Sequence, residues 1–221
     1  MRNPVLVIGN KNYSSWSLRP WLLLKANSIA FDEVRVPLYQ QGSKVAIQAH
    51  APAGRAQYGK VPILHDGATT VWDSLAICEY AAERWSSIHG WPADPVRRAH
   101  ARAISAEMHS GFATLRSEMP MNCRRERAPV TQGPQLQAEI DRVVDIWTTC
   151  RATAQAGPFL FGEFGIADAM YAPVVLRLTI YQVQLPVVAQ TYADTMLALP
   201  SMQEWLAGAR NETEVLEKFE R

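Results

Sequence analysis

The stretch KVPILHDGATTVWDSLAICEYAAER, Lys60 to Arg84, decides the fold. Two short apolar segments flank the turn signal HDG, which reads as an antiparallel hairpin. Asp73 and Ser74 then open an amphipathic run ending at Arg84, which reads as a helix. A ββα unit of this kind needs further layers to cover its sheet, and the residues on either side supply them.

Upstream, VLVIG reads as a short buried strand and SWSLRPWLLLKAN as the helix after it, with Pro20 near the first turn. FDEVRVPL alternates apolar Phe31, Val34 and Val36 with charges and gives a second strand ending at Pro37. These three segments form a βαβ unit with parallel strands. The polar stretch from Gln40 to Lys60 reads as loop, with one weak helix over Lys44 to His50.

Downstream, SSIHGWPADP is punctuated by Gly90, Pro92 and Pro95 and reads as a linker. After it no strand pattern persists. Ile104, Met108, Phe112 and Leu115 keep one helical face, as do Leu136, Ile140, Val143 and Trp147, so two long amphipathic helices are expected. GIADAMYAPVVLRLTIYQV starts a third, bent at Pro173, and two shorter helices follow before a tail after Asn211. The expected organisation is an α/β domain over 1-85, a linker over 86-94 and an all-helical domain over 95-221.

The chain has 221 residues, 48% of them hydrophobic, with a net charge of +1. This balance points to a globular protein and away from a disordered chain or a nucleic-acid binder. Val5 to Ile8 is far too short for a signal-peptide core, and no later run reaches membrane-span length, so a cytoplasmic protein with no membrane partner is expected. Cys78, Cys123 and Cys150 are odd in number and form no C-x-x-C pair, so neither a disulfide framework nor a zinc site is expected.

Three stretches carry chemistry. Ser14 and Ser15 stand where the first helix begins; a hydroxyl there ordinarily caps the helix, and it can also donate to an anion such as a thiolate at the positive end of the helix dipole. Val61-Pro62 precedes a strand, at a place where the X-Pro bond is either an ordinary turn or cis; if cis, the Val61 backbone would face outward, free to pair with an extended peptide. Asp73 and Ser74 cap the next helix and also suit an ammonium and a carboxylate, the two ends of one amino-acid head group. A thiolate, a peptide backbone and an amino-acid zwitterion together describe glutathione.

In this order and spacing, the serine-containing helix start, KVP, DSLAICEYAAER, the Pro-rich linker and FGEFGIADAMYAPVV resemble a bacterial cytosolic glutathione S-transferase over essentially the whole chain. The likeness is to the serine-type classes and not to the cysteine-type ones, because no cysteine lies between Asn12 and Ser17. The resemblance implies a thioredoxin-like N-terminal domain, an all-helical C-terminal domain, glutathione as co-substrate without a metal, a small hydrophobic electrophile and a twofold homodimer. It implies Ser14 as the sulfur contact, or Ser15 by a one-residue shift, with Val61, Pro62, Asp73 and Ser74 binding glutathione and Lys60, Lys44 or His50 near its glycine end. Tyr13, Trp16, Met108 and Phe112 are its candidates for the second-substrate pocket, and His109 faces the same region.

The sequence departs from the family pattern in a longer loop, APAGRAQYGKVP, and in a capping box whose first residue is Gly165, with Asp168 as its acid. The activity implied is glutathione transfer in detoxification. A zeta-like glutathione-dependent cis-trans isomerase and a non-catalytic glutathione-binding module are the alternatives.

Overall fold

The computed structural model describes residues 3–51, 58–125, 129–154 and 156–220. Strand β1 (Val5–Ile8), helix α1 (Ser15–Ala26) and strand β2 (Asp32–Arg35) form the βαβ unit, and β1 and β2 are parallel. After α2 (Ser43–Gln48) come β3 (Ile63–Asp66) and β4 (Thr69–Trp72), then α3 (Ser74–Arg84). The sheet order is β2-β1-β3-β4, with β3 antiparallel to both of its neighbours. The hairpin loop is Gly67–Ala68, one residue later than HDG suggests; Asp66 pairs with Thr69, and Gly67 supplies the positive φ of +59° that a tight hairpin needs.

Both faces of the sheet are covered, as a sheet with interior parallel strands requires. Val7 and Ile63 point to one face, against Val36 and Ile47 of α2. Leu6, Ile8 and Leu64 point to the other, into a core shared with α1, α3 and the helical domain. Helix α1 therefore lies between layers, and Leu18, Trp21, Leu22, Leu23 and Leu24 are all fully buried. Pro20 is the sixth residue of this helix and not part of its first turn, so the Trp16 carbonyl loses its usual donor while the helix continues.

The helical domain comprises α4 (Pro95–Ser110), α5 (Ala113–Glu118), α6 (Pro134–Thr153), α7 (Ile166–Ile180), α8 (Val187–Ala198) and α9 (Pro200–Arg210), followed by a short 3₁₀ turn at Glu217–Phe219. Helix α7 runs through Pro173 without interruption and is buried along nearly its whole length against α1, α4 and α8. Its start keeps only the acid half of a capping box, since Gly165 has no side chain: Asp168, 1% exposed, accepts from Gly165 N at 3.0 Å and also from Leu160 N at 3.0 Å. Gly90 sits close beneath, its carbonyl accepting from Ile166 N at 3.0 Å.

One expectation is corrected. Met108 and Phe112 do not share a helix, because the chain breaks between α4 and α5. Gly111 is extended (φ −102°, ψ −164°) and Phe112 is left-handed (φ 59°, ψ 46°), a conformation an L residue adopts at a cost of about 1–2 kcal/mol. Two contacts hold the break. Glu139 of α6 accepts from Thr114 N at 3.2 Å and Leu115 N at 2.8 Å, capping α5, and Arg116 donates back to the carbonyls of Gly111 and Met108 at the end of α4. The break turns α5, and Arg116 with it, toward the cleft between the domains.

Candidate active site

A cleft of about 780 Å³ opens between the two domains. Of the residues singled out from the sequence, Tyr13, Ser14, Ser15, Trp16, Lys60, Val61, Pro62, Asp73 and Ser74 all border it, as do Lys44 and His109. Met108 and Phe112 do not. Both are buried in the core, 0% and 7% exposed, Met108 on the inward face of α4 and Phe112 at the turn into α5. His50 lies instead beside His65, with ring centroids 5.7 Å apart. Residues 52–57 of the APAGRAQYGKVP loop are outside the described residues.

The two serines do different things. Ser14 is the N-cap of α1: its Oγ accepts from Ser17 N at 3.4 Å and lies 2.7 Å from Ser17 Oγ, which accepts from Gly9 N at 3.1 Å. Ser15 Oγ accepts from Arg177 Nη2 at 3.3 Å, which ties the first turn of α1 to the end of α7. Tyr13 turns its phenol away from the serines. That oxygen donates to Glu220 Oε1 at 2.6 Å and accepts from Leu216 N at 3.1 Å and Arg124 Nη2 at 3.1 Å.

The loop before α1 is held from the helical side. Glu212 accepts from Lys11 N at 2.7 Å and Asn12 N at 3.0 Å, and the Asn12 side chain donates to Asn122 Oδ1 at 2.9 Å and accepts from Arg124 N at 2.8 Å. Phe219 stacks on Tyr13, with centroids 5.4 Å apart, and closes one end of the cleft.

The Val61-Pro62 peptide is cis, and Val61 makes no backbone hydrogen bond among the described residues. Beside it, Asp73 has a φ of +78°, a strained value for a non-glycine residue that persists where the surroundings fix it. Its Oδ1 caps α3 by accepting from Leu75 N at 2.9 Å and Ala76 N at 3.2 Å. Its Oδ2 lies 3.1 Å from His109 Nε2. Burial lowers the His109 imidazole pKa from its ordinary value, against the opposing pull of Asp73 and with Arg19 and Arg116 adding to the lowering. Ser74 Oγ accepts from Arg19 Nη1 at 3.3 Å.

Sequence reasoning missed three arginines. Arg19 is fully buried, and burial, then Arg116 and Arg177, bring its pKa down to about 9. Arg177 is 4% exposed and is brought to about 9 by burial and then Arg116. Arg116 is lowered by burial, partly offset by Glu139. Arg19 and Arg116 both lie over the Trp16 ring, at 4.3 and 4.9 Å from its centroid. The only sequence signal was composition: an arginine inside the apolar α1 run, and another near the end of the apolar α7 run, each sit where a charge requires a partner. Among the described residues, no group of three or more His, Cys, Asp or Glu side chains could hold a metal ion, and no helix is long and apolar enough to cross a membrane.

Residues 13–84 match the family model described as glutathione S-transferase, N-terminal domain, and residues 99–208 match glutathione S-transferase, C-terminal domain. A probable maleylacetoacetate isomerase of Caenorhabditis elegans is 33% identical over 114 residues, 52% of this chain and 50% of that protein, so the match spans half the length of this curated relative. Among solved structures, a glutathione transferase homolog from Burkholderia with bound glutathione superposes with a TM-score of 0.68 at 22% identity, covering 95% of this chain and 99% of that one. A maleyl pyruvate isomerase, a bacterial zeta-class protein, gives 0.69 at 20% identity, covering 95% and 100%. These two likenesses carry the fold: a thioredoxin-like domain joined to an all-helical one. With both family models matched in order along most of its length, the chain belongs to the glutathione S-transferase family.

Proposed function

We propose that the cleft binds glutathione and activates its thiol for attack on an electrophilic carbon. The observation that carries this reading is that α1 and α3 both open their N-termini into one cleft that Val61 also lines, its backbone without a hydrogen bond among the described residues. Each N-terminus favours an anion, and the Val61 backbone just before β3 offers a peptide edge. Glutathione has a matching shape: a thiol in the middle, a peptide backbone, and carboxylates at its ends.

In this reading the γ-glutamyl carboxylate lies at Ser74, whose hydroxyl Arg19 orients, and the ammonium lies at Asp73. The cysteinyl backbone pairs with Val61, next to Pro62. Lys60 and Lys44, both exposed at the rim, suit the glycine carboxylate. The sulfur lies at Ser14. With Ser17 as the donor of its 2.7 Å contact to Ser14 Oγ, a hydrogen-bond chain runs from Gly9 N–H through the Ser17 hydroxyl and leaves the Ser14 proton free to donate to sulfur, each bond polarising the next. The thiol proton leaves to water. The thiolate then forms the carbon–sulfur bond, and the displaced electron pair leaves with a leaving group or moves along a double bond and is protonated.

The relatives named as isomerases support a second reading, in which the thiolate adds to a double bond, the adduct rotates, and glutathione is expelled unchanged. A homodimer in the cytoplasm, acting on foreign or metabolic electrophiles, completes the proposal. Calorimetry with glutathione tests its foundation: heat of binding in the wild type and its loss in Ser74→Ala are expected, and no binding by the wild type ends the reading. Product analysis separates the two reactions, since a transferase consumes glutathione and an isomerase does not. Binding without turnover on any electrophile would favour an interaction module.

A further inference from the structure

The long walls of the cleft come from the two domains, and one end of it comes from the last residues of the chain. Phe219, in the 3₁₀ turn Glu217–Phe219, borders the cleft beside Tyr13 and Tyr39.

The tail is held in two parts of unequal strength. Its first part is anchored. Glu212 and Leu216 are buried, Glu212 accepts from Lys11 N and Asn12 N, and the Arg124 guanidinium donates to the carbonyls of Glu212 and Glu214. Leu216 N donates to the Tyr13 phenol oxygen at 3.1 Å. Beyond Leu216 the contacts thin out: Glu217, Lys218 and Glu220 are exposed, and Phe219 is half-buried. Two hydrogen bonds from outside the tail reach this turn, from the Tyr13 phenol to Glu220 Oε1 at 2.6 Å and from Asn122 Nδ2 to the Phe219 carbonyl at 3.2 Å.

Ring contacts carry the turn across the cleft mouth. On one side Phe219 stacks on Tyr13, directly before the serines of α1, with centroids 5.4 Å apart. On the other it meets the Tyr39 ring edge-on at 5.9 Å, and Lys218 Nζ lies 3.0 Å from the Tyr39 centroid. Tyr39 immediately precedes the segment that brings Gln40, Ser43 and Lys44 to the cleft. Lys218 takes part in none of the ion pairs among the described residues, so the link to exposed Tyr39 rests on a cation–π contact in water, which is a weak tie.

We propose that residues 217–220 are a latch over the thiol site, which swings at Leu216 to admit and release glutathione while residues 212–216 stay docked. This rests on the glutathione reading for the identity of the ligand. In that pose the sulfur lies at Ser14 and the glycine carboxylate near Lys44 and Lys60, so a turn running from Tyr13 to Tyr39 crosses the cysteinyl-glycine half of the tripeptide. A segment with few buried contacts opens locally at small cost, whereas the anchored half does not. Closure sets the Phe219 ring beside the sulfur end and keeps water from it; opening lets ligand exchange. A latch and a fixed wall differ in kinetics. A wall that only packs against the ligand slows release, but a latch slows entry and release alike, because both pass through the open state.

The test has two arms. In the first, glutathione binding is followed by stopped-flow tryptophan fluorescence, with Trp16 at the cleft as reporter, in the full chain and in a chain ending at Leu216. The observed rate in the full chain should level off at high glutathione, at the opening rate, while that of the shortened chain keeps rising. Association and dissociation should both quicken by about threefold to tenfold on truncation, the factor for losing ties of this strength. Tyr39→Ala in the full chain removes one side of the latch and should fall between the two, and melting temperatures check that both variants fold. The second arm needs no ligand. By hydrogen exchange, the amides of Phe219 and Glu220 should exchange about tenfold or more faster than those of Lys11 and Asn12, which Glu212 holds. Truncation that quickens dissociation alone, equal binding rates in the two chains, or tail amides as protected as Lys11 and Asn12 overturns the latch and leaves the glutathione reading standing. Glutathione that binds neither chain ends both.

Discussion

Ser14→Ala tests the central step. The substitution removes the hydroxyl that we propose donates to the glutathione sulfur. It also removes the α1 cap, but that cap bond is long, 3.4 Å to Ser17 N, so its loss should cost only about 0.5–1 kcal/mol of stability. A hydrogen bond to a charged acceptor contributes about 1.5–3 kcal/mol, and each pKa unit corresponds to about 1.4 kcal/mol, so the bound thiol should rise by about one to two units. The thiolate absorbance of bound glutathione, followed against pH by ultraviolet difference spectroscopy, reads this shift directly, and kcat/KM at neutral pH should fall by a similar factor. Ser15→Ala should leave the thiol pKa nearly in place, because Ser15 is engaged with Arg177. If Ser15→Ala raises the pKa and Ser14→Ala does not, the assignment of the two serines is reversed and the hydrogen-bond chain through Ser17 has no catalytic part.

Other outcomes follow from the same geometry. Ser17→Ala should raise the bound thiol pKa by less than Ser14→Ala, and should lower stability by about 1–3 kcal/mol in urea unfolding because the buried Gly9 N–H loses its acceptor. Glu139→Ala removes the acceptor at the start of α5 and should cost about 1–2 kcal/mol in the same assay. Gly90→Ala would bring a Cβ to 2.5 Å from Ala82 Cβ and should lower stability by about 1–3 kcal/mol. Burial raises the Asp168 pKa to about 6, so the folded state holds its proton more tightly than the unfolded chain. That contribution to stability is full below about pH 4 and lost as pH rises through about 6, by roughly 3 kcal/mol, so the stability advantage of wild type over Asp168→Asn should shrink across that window.

Much of the α/β domain was legible because its signals are local. The alternation in FDEVRVPL, the apolar runs either side of Gly67 and the acid-serine pair at the start of α3 each operate within a few residues. The α4–α5 break was not legible, since Ile104, Met108, Phe112 and Leu115 keep helical spacing straight across it. What breaks the helix is Glu139 on another helix and a left-handed Phe112, and neither leaves a periodic trace. The same applies to the cleft. Serines, Val61 and Asp73 announce themselves at helix starts and before a strand, whereas Arg116 and Arg177 belong to the site only through folding: Arg177 reaches Ser15 across 162 positions of chain.

The hold of Glu212 on the loop before α1 has a bearing on biosynthesis. The amides it accepts belong to Lys11 and Asn12, 201 and 200 positions earlier in the chain. While a ribosome is still making the protein, the early strands can pair as they emerge, and Asn122 and Arg124 can reach Asn12, yet the Lys11 and Asn12 amides lack their acceptor until Glu212 has been translated and has docked. The last contact to close on the loop before α1 therefore comes from the far end of the chain, after the sheet is complete.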